Sequence, residues 1–485
     1  MPSFFYGVFL DINNRSAVWG NFRVSGLDPL FTSAFLPTGF AARWSANRTT
    51  DSRLCYELLQ RGYVIPQNAG YHDFIRPIQQ VTERDRGGMI ISPRIGDVHE
   101  NVAELDYESQ YPNLIIKEGL SFETVTPDGI SETHKGILPA ITKKALSRRL
   151  HFKGLRKNLA IESDDCRWAE QRQIALKFIL VCIYGTLGSC WNRFGNVLTF
   201  EEINLKSRET MIETKNIAQS EGFQVLYGDT DSILVKSEGA TEEVYMKLAA
   251  LLTEKTRLPI SLTHHYKFLL LLPLEADPSG IMEAQKHYFG KLTNGEILTR
   301  GIEVRRHDSH RFIKDFQLGL ITTLFNHESA GAVKSKGYET AQDFVTHCLD
   351  DLMEGNIPLE DLVVSRILRR SLTSYKSIFP HVSAAIQLAS QGKSIKPGDT
   401  IDFIHTDAKH HNPLRRVAPY DSPDGRIHED RDKYREMILD AAETVLSTFG
   451  FSREVYGFQK KFNNWIDELW EERRRKMGME ASTEE

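Results

Sequence analysis

At 485 residues the chain has a prior of about three domains and is long enough to bury a core without disulfide or metal staples. With 41% apolar and 26% charged residues it is not of the disordered, collagen-like or repeat-dominated classes, and no run approaches the roughly 18 apolar residues of a membrane span. The net charge of -5 gives no global sign of a polyanionic partner, and five cysteines (Cys55, Cys166, Cys182, Cys190, Cys348) without a C-x-x-C pair argue against a zinc ribbon and for packing thiols.

The opening MPSFFYGVFLDINN lacks the basic segment and small-residue cleavage site of a secretory signal, so a cytoplasmic location is expected. Residues 1–35, with the isolated Asp11, read as a short strand-rich piece at most. From Asn101 to Tyr107 an apolar strand ends at Asp106, and Pro112 follows where a helix would begin its first turn. Strand, acid, turn and helix together make a phosphate-site architecture, because the helix start aims backbone N–H groups at an anion. Taken alone, Asp106 reads more readily as a cap for the next element.

Between Ser131 and Ala160 eight Lys or Arg face one Glu, a local net of +7, on a helical pattern opened by Pro139. Arg149 and Lys153 are four apart and share a face, which suits a polyphosphate as well as a solvated basic stripe. A helix is expected from Asp165 to Tyr184, with Lys177, Val181 and Tyr184 on one stripe. A lysine in an apolar stripe either snorkels to solvent or reaches a phosphate, with Val181 and Tyr184 as a floor for a flat base. Phe200 to Glu221 reads as a further helix.

Phe223 to Lys236 reads as two strands turning at Tyr227 to Asp231. Strand alternation would put the carboxylates of Asp229 and Asp231 on one side of the tip, half of a site for a hard divalent cation such as Mg2+. An isolated D-x-D turn is more readily a solvated hairpin, so it needs a partner, and Asp106 is the candidate. After about Ser309 the pattern is mainly helical. From Asp361 to Tyr420 nine basic residues face four acidic ones, interleaved with Tyr375, Phe379 and Phe403. Two basic stretches in a near-neutral chain suit a protein that holds nucleic acid in a groove.

Several of these segments resemble the motifs of family B DNA polymerases. Asp106 to Ile116 (DYESQYPNLII) resembles the first polymerase motif, Arg172 to Gly185 (RQIALKFILVCIYG) the second and Tyr227 to Ser232 (YGDTDS) the third. Gly87-Gly88 is similar to the glycine pair ahead of the palm, Gln285 to Gly290 to a lysine-x-tyrosine motif, and Thr299 to Arg306 to the approach to the thumb. Leu359 to Tyr420, with Tyr375-Lys376 and Pro380-His381-Val382, resembles the thumb itself. The likeness runs from about Leu36 to Gly450.

The resemblance implies an α+β, mixed α/β right-hand fold: an N-terminal remnant (1–90), an antiparallel-sheet palm (91–130 and 191–308), helical fingers (131–190) and a mainly helical thumb with a tail (309–485). It implies a DNA-directed DNA polymerase, nucleoid-associated, that uses primer-template DNA and deoxynucleoside triphosphates. Two Mg2+ ions, or Mn2+, would be held by Asp106, Asp231 and Asp229 and share the charge of the attacking and leaving oxygens. Ser109, Gln110, Arg149, Lys153 and Lys177 would face the triphosphate, Tyr111 the sugar, and Val181 and Tyr184 the nascent pair. Gly87, Gly88, Thr230, Lys286, Tyr288, Arg305, Tyr375, Lys376 and His381 would meet the DNA.

The chain departs from the family pattern in two ways. Val181-Cys182 stands where the family usually has Asn-Ser, which removes a polar group beneath the nascent pair and points to repair or translesion synthesis. Only 105 residues precede Asp106, too few for the usual 3′–5′ exonuclease, so proofreading is expected to be absent, as in the short archaeal paralogues the chain resembles. Gln459, Phe462 and Trp465-Ile466 loosely resemble a clamp-binding peptide, which would make a sliding clamp a partner; an amphipathic helix packing on the thumb is the favoured reading of them. The competing class is a catalytically weak scaffold subunit of the same fold.

Overall fold

The computed structural model describes residues 46–65, 87–131, 136–189, 192–273, 283–306, 309–421 and 427–454. The expectations about residues 1–35 and the clamp-like residues Gln459, Phe462, Trp465 and Ile466 lie outside these. The chain divides into two compact units. None of the described helices is long and apolar enough to cross a membrane.

Unit 1 takes residues up to Ile91, then Leu105–Ile233 and Glu243–Leu262. Its helices are α1 (Ala46–Gln60), α2 (Gln110–Lys117), α3 (Ile137–Lys157), α4 (Asp164–Gly185), α5 (Val197–Ser220) and α6 (Glu242–Thr256, whose first residue belongs to unit 2). Local sequence sets their starts. Ser163 accepts a hydrogen bond from Cys166 N–H ahead of Asp164 and Asp165, and Asn196 caps α5 by accepting from Thr199 N–H. The first turn of α3 has no side-chain cap of its own; its Ile137 and Leu138 N–H groups donate instead to Glu123 and Ser121. The core of the unit joins Leu54 and Leu58 of α1, Ile115 of α2, Ile141, Ala145 and Phe152 of α3, Leu176, Ile179, Leu180 and Ile183 of α4, and Ile203 of α5.

Strands β1 (Ile90–Ile91), β5 (Gln224–Asp229), β6 (Ser232–Lys236), β2 (Val98–Tyr107) and β7 (Ile260–Pro273) lie side by side in that order. β2, β6 and β7 each carry residues of both units along their length. A small hairpin, β3 (Val125–Thr126) with β4 (Gly129–Ile130), completes unit 1. The two strands expected between Phe223 and Lys236, the strand ending at Tyr107 and the helices at 165–184 and 200–221 are all present.

In unit 2, β7 pairs antiparallel with β8 (Glu283–Leu292), and β8 with β9 (Ile297–Arg300). Phe268, Leu270, Leu272 and Phe289 of that sheet bury against α7 (Arg311–Leu324), α8 (Tyr338–Glu354) and α10 (Arg431–Leu446). Beyond Ser309 the structure is less purely helical than the sequence pattern implies. Strands β10 (Val364–Ile367), β11 (Thr400–His405) and β12 (Val417–Pro419) form an antiparallel sheet that packs on α9 (Pro380–Ser390) around Val382, Leu388, Ile401 and Phe403. Strands of three to six residues, with β10 more than 30 residues ahead of β11, carry too little local periodicity to be read, and only their pairing makes them a sheet.

Candidate functional site

Unit 1 gathers most of the predicted site. β2 ends at Tyr107, whose N–H donates to Asp231 C=O at 2.8 Å, so Asp106 lies beside the β5–β6 turn. Asp229 is the last residue of β5 and pairs in register with Ile90. Asp106, Asp229 and Asp231 are all half-buried. What holds the aspartate pair is a tight turn rather than the strand alternation expected from the sequence: Asp231 N–H returns to Asp229 C=O, and Thr230 between them sits at φ 58°.

A β-branched residue with positive φ is strained, and its neighbours must impose it. Thr230 N–H donates to Met89 C=O at 2.8 Å and its hydroxyl to Asp229 Oδ1 at 3.0 Å. Gly88 lies so close that a Cβ there would fall 2.8 Å from Thr230 Oγ1, and Gly87 takes φ 63° beside it. The glycine pair is therefore part of the mould that shapes the aspartate turn.

After Asp106 the chain turns into α2 through Ser109, also in the left-handed region at φ 61° and without a side-chain cap. Arg149 donates to Ser109 Oγ, and Lys153 Nζ lies 2.6 Å from Glu108 Oε1. The two α3 cations thus converge on the turn as the i, i+4 spacing implies, and Glu108 is an acid there whose role the sequence did not disclose. Burial lowers the Arg149 guanidinium from its ordinary pKa, against the pull of Glu108, although an arginine remains charged.

Tyr111 stacks on Tyr184 with centroids 4.4 Å apart, and Tyr184 stacks on Phe200 at 4.8 Å. Burial raises the Tyr111 phenol. Three and seven residues before Tyr184 on α4, Val181 is 53% exposed and Lys177 is exposed, so this stripe is the outward face of the helix. Cys182 is 4% exposed, and burial pushes its thiol up to about 11. Of the Val181-Cys182 pair only position 181 faces out.

Helix α5 supplies what sequence reading missed. Asn204 Oδ1 accepts from the Tyr184 hydroxyl at 2.6 Å, Ser207 Oγ donates to Gln110 Oε1 at 2.7 Å, Arg208 donates to Gly87 C=O at 2.9 Å, and Thr214 Oγ1 bonds the Tyr107 hydroxyl. Asn204, Ser207 and Thr214 have no exposed surface. Polar residues recurring at helical spacing on an otherwise apolar face were the available signal.

The remaining predicted residues belong to unit 2. Lys286 is exposed, at φ 62° where the β7–β8 register shifts, and its neighbour Tyr288 is 7% exposed, a ring in the strand core opposite Leu271 and Arg300. Arg305 and Lys376 are exposed. Tyr375 accepts from the N–H groups of Arg369 and Arg370, and the His381 ring stacks on Phe379 and meets Tyr375 edge-on. Burial, with Arg366 and Arg369 nearby, lowers the His381 pKa.

Oxygen donors at a turn suit a hard cation. Among the described residues no three His, Cys, Asp or Glu side chains come together as a group that could hold a metal ion by themselves. Mg2+ is commonly held by one or two carboxylates plus water and substrate phosphates, so a carboxylate pair beside an uncapped helix start, whose N–H groups suit an anion, fits that chemistry.

The profile described as DNA polymerase family B matches residues 45–134 and 126–456. The chain is 27% identical over 436 residues to a DNA polymerase of Thermococcus gorgonarius, covering 86% of this chain and 54% of that protein. It is 24% identical over 450 residues to DNA polymerase 2 of Aeropyrum pernix, covering 89% and 51%. It spans about half the length of these relatives. A solved family B DNA polymerase from Pyrobaculum calidifontis superposes with a TM-score of 0.60 at 24% identity, covering 86% of this chain and 52% of that one, a likeness of fold.

Proposed function

The chain belongs to DNA polymerase family B, and from that premise we propose that it extends a primer 3′-hydroxyl with deoxynucleotides on a DNA template, with Asp106 and Asp231, assisted by Asp229, as the carboxylates that hold divalent cations. The observation that carries this reading is the Tyr107–Asp231 backbone bond, which puts Asp106 next to the aspartate turn and one turn of chain before the start of α2. When bound there, a pair of Mg2+ or Mn2+ ions would lower the pKa of the primer hydroxyl and balance charge on the leaving pyrophosphate.

The protein's own groups bind and orient. Backbone N–H groups at Gln110 and Tyr111 point from the α2 start toward the triphosphate, with Arg149, Lys153 and Lys177 neutralising it. Arg149 and Lys153 already meet at Ser109 and Glu108, so a triphosphate would compete with Glu108 for Lys153. Tyr111 faces the sugar, and Val181 and Tyr184 present apolar surface to the nascent pair. On unit 2, Lys286, Arg305, Lys376 and their neighbours would contact duplex phosphates, which position without reading sequence. Covalent catalysis is not required, because positioning and neutralisation suffice for in-line phosphoryl transfer.

A repair or translesion role is the finer reading, supported by the exposed Val181. Primer extension with Asp231→Ala tests the assignment: elongation should be lost, by about 10³-fold or more in kcat, while primer-template affinity stays within a few-fold, since phosphate contacts supply that affinity. Elongation at the wild-type rate would overturn the metal-ligand role of Asp231, and a wild-type chain that binds primer-template without extending it would favour the scaffold reading.

A further inference from the structure

Helix α5 carries Phe200, Asn204, Ser207, Met211 and Thr214 at i, i+4, i+7, i+11 and i+14, a single stripe that turns inward. Three of these residues meet the aromatic stack formed by Tyr111 and Tyr184. Phe200 closes it as the third ring, Asn204 accepts the Tyr184 hydroxyl, and Ser207 donates to Gln110, the residue before Tyr111. Tyr184 is therefore held at both ends, by its own Cβ and by its hydroxyl, and Tyr111 is held against it by ring stacking. A phenol tethered this way cannot pivot about χ1 without breaking a buried hydrogen bond.

Gln110 sharpens the point. It is 1% exposed and immediately precedes Tyr111; its Nε2 has no partner among the described residues, so the bond from Ser207 to Oε1 is the contact that fixes the amide. Ser207 thus fixes the side chain that immediately precedes Tyr111 at the start of α2. A buried polar pair of this kind is costly to leave unmatched, which gives it the means to specify one arrangement of the turn.

We propose that Ser207 and Asn204 are positioning residues for sugar selection: from α5 they lock Tyr111 and Tyr184 into one stack and so fix the wall that the 2′ position of an incoming nucleotide meets. This rests on the reading of Tyr111 as the sugar-facing ring. Neither residue touches the nucleotide. Their effect passes through the placement of the Tyr111 ring, and its signature is a change in discrimination between deoxy- and ribonucleotides that disappears once that ring is gone.

The test is a set of single-nucleotide incorporation measurements, taking the ratio of kcat/KM for a deoxynucleotide to that for the matching ribonucleotide. Tyr111→Ala sets the scale by removing the wall. Ser207→Ala should lower the ratio about fivefold, the equivalent of one neutral hydrogen bond. Gln110→Leu, which breaks the same pair without opening a cavity, should shift the ratio the same way and carries the test if Ser207→Ala folds poorly. In the Tyr111→Ala background neither change should lower the ratio further. If Tyr111→Ala relaxes selection while Ser207→Ala and Gln110→Leu keep the wild-type ratio, the inference is overturned and the sugar-facing role of Tyr111 stands. If Tyr111→Ala leaves selection unchanged, that role falls and takes the inference with it.

Discussion

Val181 and Cys182 are neighbours with opposite fates. The 100° step between successive helical residues turns the isopropyl group of Val181 outward beside Lys177 and sends the Cys182 thiol into the core. On the proposed reading an outward valine would offer packing to a base pair and no hydrogen bond, leaving no polar check on pairing geometry at this position. Val181→Asn should therefore raise discrimination between correct and incorrect nucleotides, measured as the ratio of their kcat/KM values, by roughly fivefold, the scale of one hydrogen bond. Cys182→Ser should leave that ratio alone, because its hydroxyl would sit in the core and change stability instead. An unaltered ratio for Val181→Asn in an active enzyme would reduce the stripe to helix surface.

At the level of elements, the aspartate turn is shaped from outside. β1 and the glycines before it hold Thr230 in a conformation that β5 and β6 would not choose by themselves. In Gly88→Ala the new methyl would lie 2.8–2.9 Å from the Thr230 side chain, so either the turn or β1 must move. We expect kcat for incorporation to fall by about tenfold or more, since small displacements of positioned groups are costly in rate. Adding Thr230→Gly to that variant removes the obstructing side chain and suits the positive φ, and should recover part of the loss. Steady-state rates for the single and double variants decide it: a double variant no faster than the single would place the defect elsewhere.

Across the whole molecule, stability carries a pH signature located in unit 2. His310, at the head of α7, is 3% exposed, and burial together with His405 and Lys314 pushes it down to about 4; burial and Lys433 push His405 down to about 4 as well. Both rings lie against Tyr434. A histidine ordinarily titrates near 6.5, so over the interval from about 6.5 down to 4 the unfolded chain binds protons that the folded protein refuses. The stabilisation is complete above about pH 6.5 and is lost as pH falls toward 4. It is on the order of 3 kcal/mol per ring at most. Thermal melts from pH 7.5 to 4.5 should show Tm falling below pH 6.5. His310→Asn, which can still cap α7, should flatten that fall; an identical slope in wild type and variant would remove His310 as its source.

What the sequence determined by itself was whatever is encoded within a dozen residues. The strand ending at Asp106, the proline in the first turn of α2, the Asp229-Thr230-Asp231 hairpin and the stripes of α3 and α4 all follow from local periodicity and turn chemistry, and the order of these motifs was enough to indicate the family. It did not disclose that Lys153 meets Glu108, that Cys182 is buried while Val181 is not, or that Asn204, Ser207 and Thr214 organise the site from a helix that reads as ordinary. Nor did it disclose the sheet of β10, β11 and β12. Those features depend on partners that for the most part lie 20 to more than 100 positions away along the chain. A polar side chain on a helix has the same local pattern whether it faces water or a tyrosine hydroxyl, and only tertiary packing, which withdraws water and obliges every buried donor and acceptor to find a partner, decides between the two.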